Sequence, residues 1–172
     1  MTYRPLILFV CTGNTCRSAM AERLFAHLLE QRGDQDRFRA ASAGVWAHDE
    51  RPAAQQAIAI LEPEGLDLSA HRSRGLTQQI VDEADLILVM ERAHLRDLGL
   101  RFARADAKAH LLSTVMGERR DVTDPMGQEP AAYSQCYETL RAYLTEGYPQ
   151  ILAMAEGAPA PPRKRRWPWR QG

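Results

Sequence analysis

A chain of 172 residues with 45% hydrophobic and 26% charged side chains is long enough to bury a core without disulfide or metal staples, which excludes a small stapled scaffold. Twenty-two Lys and Arg balance twenty-two Asp and Glu, so no bulk field favours a whole-domain nucleic-acid binder. The five basic residues after Ala158 (Arg163, Lys164, Arg165, Arg166 and Arg170) face no acid there, so the body is mildly acidic and the tail strongly basic. No apolar run approaches the length of a transmembrane helix. Cys11, Cys16 and Cys136 form an odd, irregular set with no secretory leader ahead of them, and the expected home is a reducing cytoplasm.

Leu6 to Val10 reads LILFV, a continuous run of strand formers that predicts a parallel strand covered on both faces. After the octet CTGNTCRS, Met20 to Glu30 repeats apolar residues at helical spacing, and Gly33 supplies a stop. A second strand is expected over Arg39 to Ala43, ending at Gly44, and a helix over Pro52 to Leu61. Helix over Thr77 to Ala84, strand over Asp85 to Met90, helix over Glu91 to Leu98 and strand over Ala109 to Ser113 follow. Pro130 to Met154 carries a long helical pattern that Gly147 and Pro149 break late.

Buried strands alternating with helices predict one α/β domain over residues 1–157, with a parallel sheet flanked by helices. Ligands in that architecture bind beyond the carboxyl ends of strands, which singles out the loop after the first strand. Residues 158–172 are expected to be a disordered Pro/Arg-rich tail. Its RKRRWPWR mixes the basic and aromatic groups that contact anionic lipid or nucleic acid, although a solvated terminus is the plainer reading.

The octet lies between a buried strand and a helix, where backbone N–H groups and the helix dipole attract an anion such as phosphate. Gly13 and Asn14 tolerate the positive φ that a tight nest needs. Cys11 at the strand end would feel the dipole and Arg17, a setting that suits a nucleophilic sulfur. Arg17 offers a planar fork for two phosphoryl oxygens, and the Ser18 hydroxyl could donate to the Cys11 sulfur. The bare spacing Cys-x5-Arg is weak, since Cys136 and Arg141 repeat it in a helical pattern where no nest can form. Cys136 is read as a buried structural thiol.

CTGNTCRS followed by AMAE resembles the phosphate loop of the low-molecular-weight protein tyrosine phosphatases. SAG at Ser42 to Gly44, LDLSAHRSR from Leu66 to Arg74, ADLILVM from Ala84 to Met90 and Asp124-Pro125 occur in that family's order. The resemblance implies a single three-layer α/β domain with a four-stranded parallel sheet, and hydrolysis of phosphoproteins through a phosphocysteine on Cys11 without metal or cofactor. It also implies that Asp124 is the general acid and then the base. On residues alone, Thr123-Asp124-Pro125 is an ordinary Asp-Pro turn, and Asp121 is a rival acid that lacks the proline.

Thr12, Gly13, Asn14, Thr15, Cys16 and Ser18 are expected to line the phosphate site, with Trp46 and Met126 as walls. Trp46 reads equally well as core packing, and neither Tyr133 nor Tyr137 can be singled out as a second wall. CTGNTCRS with Asp-Pro-x-Gly resembles the protein-arginine-phosphatase branch. Tyrosine-directed members often carry a larger aliphatic residue in place of Thr15 and aromatics after Asp-Pro, where this chain has Met126-Gly127. The substrate expectation therefore leans to protein phosphoarginine over phosphotyrosine. Thioredoxin-coupled arsenate reductases share the loop but relay oxidation through two further cysteines, and only Cys136 is available. A noncatalytic phosphate-binding module would have no need of Asp124. Cys16 is the expected redox partner of Cys11, His71 is read as a structural hydrogen-bonding residue, and no histidine or cysteine spacing suggests zinc.

Overall fold

The computed structural model describes residues 3–162. Four parallel strands, β1 (Leu6–Cys11), β2 (Arg39–Gly44), β3 (Leu86–Val89) and β4 (Ala109–Leu111), form one sheet in the order β2-β1-β3-β4. Every residue of β1 is buried, which is why it reads as an unbroken apolar run. Ile7 and Phe9 point to one core cluster, Leu8 and Val10 to the other. The first cluster is completed by α1 (Arg17–Arg32), α2 (Gln55–Leu61), α5 (Pro130–Glu146) and α6 (Tyr148–Ala155). The second is completed by α3 (Gln78–Glu83) and α4 (Arg92–Arg101). The chain is thus a three-layer α/β domain with a four-stranded parallel sheet, as the sequence predicts.

Several element bounds differ from the sequence reading for local reasons. The first helix begins at Arg17, so Arg17 and Ser18 stand in its first turn rather than in a loop. The helix expected from Pro52 starts only at Gln55, because Pro52 pairs with Arg72 in an antiparallel bridge and Ala54 N–H donates to Thr15 O at 2.8 Å. β3 starts after Asp85, whose Oδ2 accepts Leu6 N–H at 2.7 Å. β4 stops at Leu111, where Leu112–Met116 turn into a 3-10 helix. The long C-terminal pattern is two helices divided at Gly147, and Pro149 sits in the first turn of α6, where a missing N–H is tolerated.

The chain leaves β1 for a neighbour on either side, so the crevice beyond its carboxyl end lies at the topological switch point. After α6 the chain still lies on the domain: Ala158 N–H donates to Ala153 O at 2.9 Å and Ala160 packs against the larger core. The RKRRWPWR run, and with it the lipid or nucleic-acid expectation, lies outside the described residues. Among the described residues no helix is long and apolar enough to cross a membrane.

Candidate active site

Residues Cys11 to Ser18 wrap from the end of β1 into the first turn of α1. Asn14 adopts φ 55°, a left-handed conformation that a short polar side chain accepts more readily than a branched one. Its backbone N–H donates to Cys11 Sγ at 3.3 Å, and its own carbonyl is held by His71 Nε2 at 2.7 Å. His71 is therefore structural, as expected. Arg74 N–H donates to Asn14 Oδ1 at 3.0 Å, which turns the amide nitrogen toward Ser18 Oγ at 2.9 Å and Ser42 Oγ at 2.8 Å. The Ser42 hydroxyl in turn donates a hydrogen bond to Glu22. With Ser18 Oγ accepting from Asn14, its hydrogen is free for Cys11 Sγ, 3.0 Å away and closer than Ala43 O at 3.4 Å. The Cys11 sulfur thus faces two donors, the arrangement a thiolate uses.

Gly44 makes this wrapping possible. A Cβ there would stand 2.6 Å from Thr12 O, 2.7 Å from the Ala47 Cβ and 3.0 Å from Asn14 N. Val45 and Trp46 then donate their N–H groups to Cys11 O at 2.9 Å and Thr12 O at 3.0 Å, so the segment after β2 forms the loop's outer rim.

Arg17 is almost fully buried yet surrounded by acceptors. Its Nη1 donates to Glu91 and, at 2.8 Å, to Val122 O, while Nη2 lies 3.1 Å from Asp124 Oδ2 and 3.5 Å from Thr12 Oγ1. Burial alone opposes its charge, but Cys11, Glu91 and Asp124 more than offset that and hold it protonated. Asp124 is presented by a turn in which its Oδ1 accepts Met126 N–H at 3.1 Å. The rival Asp121 is engaged by Arg92, through the backbone N–H at 2.9 Å and the guanidinium at 3.1 and 3.2 Å, which lowers its pKa. Of the two acids, Asp124 reaches Arg17.

Cys11, Thr12, Arg17, Ser18 and Asp124 therefore meet at the switch-point crevice, with Asn14 as their scaffold. Cys16 is buried with its thiol pushed up by burial, and Cys136 is raised to about 12 for the same reason, so neither is poised as a nucleophile. All three cysteines are free. Thr15 anchors Ala54 through its carbonyl, and its Oγ1 lies 3.8 Å from where a Cβ on Gly13 would stand. Trp46 is 59% exposed, so the core-packing alternative fails. Met126 is also exposed, and Tyr133, buried with Tyr137, brings its hydroxyl to 3.7 Å from the Met126 sulfur.

Two residues of this site escaped the sequence reading. Glu91 holds Arg17, and buried His94 holds Thr12 Oγ1 through Nε2 at 2.9 Å. Glu91 N–H donates to His94 Nδ1 at 3.1 Å, so the ring carries its hydrogen on Nε2 and donates it to Thr12. Burial, then the charge of Arg17, lowers the His94 pKa and keeps the ring neutral. The available signal was positional: Glu91 follows the carboxyl end of β3, the strand beside β1. Among the described residues no cluster of three His, Cys, Asp or Glu could hold a metal ion.

A fold with its crevice at the end of β1, lined by a thiol, a helix N-terminus, a buried arginine and a carboxylate, defines a phosphate-handling α/β protein. Residues 6–153 match the family described as Low molecular weight phosphotyrosine protein phosphatase, and the chain belongs to that family. It is 38% identical over 141 residues to the Protein-arginine-phosphatase of Bacillus subtilis (strain 168), covering 81% of this chain and 92% of that protein. It is 32% identical over 148 residues to the Probable low molecular weight protein-tyrosine-phosphatase EpsP of Ralstonia nicotianae, covering 86% of this chain and 97% of that protein. Among solved structures, a Cys-to-Ser mutant of the YwlE arginine phosphatase, its active-site serine phosphorylated, superposes with a TM-score of 0.81 at 35% identity, over 86% of this chain and 95% of that chain. The protein is an enzyme of the low-molecular-weight phosphatase class.

Proposed function

We propose that this enzyme hydrolyses phosphorylated protein side chains through a phospho-Cys11 intermediate, with phosphoarginine as its preferred substrate. The observation that carries the reading is the Cys11 sulfur facing Asn14 N–H and the Ser18 hydroxyl, in a loop whose Arg17 is 3.1 Å from Asp124. In the first step the sulfur lone pair forms the S–P bond as the P–N or P–O bond breaks, and Asp124 gives its proton to the leaving atom. Asp124 then takes a proton from water, which attacks phosphorus and returns the electron pair of the S–P bond to Cys11. Arg17 and the loop N–H groups hold the phosphoryl oxygens through both steps. In a relative, the serine that replaces the active-site cysteine in a Cys-to-Ser mutant is phosphorylated, which supports a covalent phosphoenzyme here.

The preference for phosphoarginine rests on Thr15, which places a small polar side chain at the loop, and on the 38% identical relative named for that activity. Phosphotyrosine is the second reading, supported by the exposed Trp46 face and by relatives named for tyrosine. Thioredoxin-coupled arsenate reduction is disfavoured by the single buried Cys136 beyond the loop pair. The test is parallel kinetics of wild type and Cys11→Ser on phosphoarginyl and phosphotyrosyl proteins under reducing conditions. A higher kcat/KM on phosphoarginyl protein, abolished in the variant, is expected; comparable or higher phosphotyrosine turnover overturns the preference.

A further inference from the structure

The far end of α4 makes a second set of contacts that the reaction does not use. Trp46 has its backbone fixed on the rim of the phosphate loop by Thr12 O, yet its side chain stands in solvent. An exposed side chain ordinarily samples several rotamers. Two contacts restrain this one, and Arg101, which makes the second, is itself held in place. The indole Nε1–H donates to Asp97 Oδ2 at 3.1 Å. The Arg101 guanidinium lies over the ring, 4.1 Å from its centroid, and donates to Val45 O next to Trp46. Arg101 is itself stacked 5.0 Å from the Phe102 centroid. Asp97 and Arg101 are four residues apart on α4 and so share one helix face.

We propose that Asp97 and Arg101 are positioning residues that fix the Trp46 indole as a rigid wall for the organic part of the phosphorylated side chain, so that α4 sets substrate affinity from outside the reacting atoms. The inference rests on the phosphatase reading above. Asp97 pins the polar edge of the ring and Arg101 covers one face, leaving the rest of the indole to the substrate. A wall held without burial orders the site before the substrate arrives, so less rotamer entropy is lost on binding. The side-chain contacts to Arg17 and Thr12 come from the other end of α4, from Glu91 just before it and from His94.

The test uses full-length protein in which Trp167→Phe and Trp169→Phe leave Trp46 as the one tryptophan, the chain having three. Fluorescence anisotropy of Trp46 is read in this parent, Arg101→Ala, Asp97→Ala and Arg101→Lys. In a Cys11→Ser background each is titrated with inorganic phosphate, a phosphotyrosyl peptide and a phosphoarginyl peptide. Arg101→Ala and Asp97→Ala are expected to lower the anisotropy and weaken both peptides about fivefold, with inorganic phosphate changed by less than about twofold, from the worth of one exposed cation–π or hydrogen-bond contact. Arg101→Lys, which keeps the charge without the planar stack, falls between. In the active enzyme the same variants raise KM and leave kcat in place. Unchanged anisotropy, unchanged peptide affinity, or equal weakening of peptides and inorganic phosphate overturns the proposal. A parent that binds no phosphate overturns the phosphatase reading instead, and the anisotropy still decides whether α4 holds the ring.

Discussion

Arg17 Nη2 and Asp124 Oδ2 stand 3.1 Å apart although 107 positions separate them in the chain, and Val122 O, two residues before Asp124, accepts from the same guanidinium at 2.8 Å. One buried cation thus docks the acid-bearing loop onto the phosphate loop. Asp124→Asn keeps the shape and removes the proton carrier. It is expected to lower kcat by about 10²- to 10⁴-fold while phosphate affinity is retained. Pre-steady-state kinetics checks this, and an unchanged kcat would assign the proton to another group.

His94 makes folding stability depend on pH in a defined sense. Its ring is buried and neutral with a lowered pKa, so as pH falls below about 6.5 the unfolded chain takes up the proton before the folded one. Stability from this group is fully present above that value and is lost as pH falls through the folded pKa. Protonation also removes the acceptor for Glu91 N–H at the start of α4. His94→Gln should flatten the loss of thermal midpoint between neutral and acidic pH. Part of the slope should persist, because burial lowers the His110 pKa in the same direction. A slope identical to wild type would contradict this assignment.

Which of these features the sequence discloses depends on how local they are. β1 and β3 are legible because a strand buried on both faces has no polar alternation to disguise it. The octet is legible because its glycine, asparagine, cysteine and arginine act within one turn of chain. Glu91 and His94 are not, since their roles exist only once β3 lies beside β1 and brings α4 to the loop. Asp121 and Asp124 are three residues apart and chemically equivalent on paper; the fold gives one to Arg92 and the other to Arg17. Trp46 is ambiguous in sequence because a tryptophan can be held in place by a helix face without being buried.

Gly44 offers a test of the loop that leaves every polar group in place. The added Cβ of Gly44→Ala meets Thr12 O at 2.6 Å and the Ala47 Cβ at 2.7 Å, so backbone must shift. A destabilisation of about 1–3 kcal/mol is expected from such overpacking, together with loss of phosphate affinity. Chemical denaturation and phosphate titration measure the two effects, and a stable variant with full affinity would show that the loop tolerates movement of the β2 end.

Cys16 is expected to protect Cys11 from overoxidation. Peroxide converts Cys11 to a sulfenic acid, and attack by the Cys16 sulfur expels water and forms a disulfide that thiol reductant reopens. Burial raises the Cys16 pKa, which makes this closure slower than for an exposed thiol. Wild type should recover activity with reductant after peroxide, and Cys16→Ser should not. Equal recovery by both proteins would remove Cys16 from this role.

Phosphorus is expected to pass through Cys11. Rapid-quench mass spectrometry of Asp124→Asn mixed with phosphoarginyl protein, followed by brief proteolysis at alkaline pH where S–P and P–N bonds persist, is the measurement that decides it. A phosphate adduct on the peptide carrying Cys11, formed before product leaves the enzyme, is the expected result. Turnover with no adduct at any time point, or an adduct mapped to another residue, would contradict it.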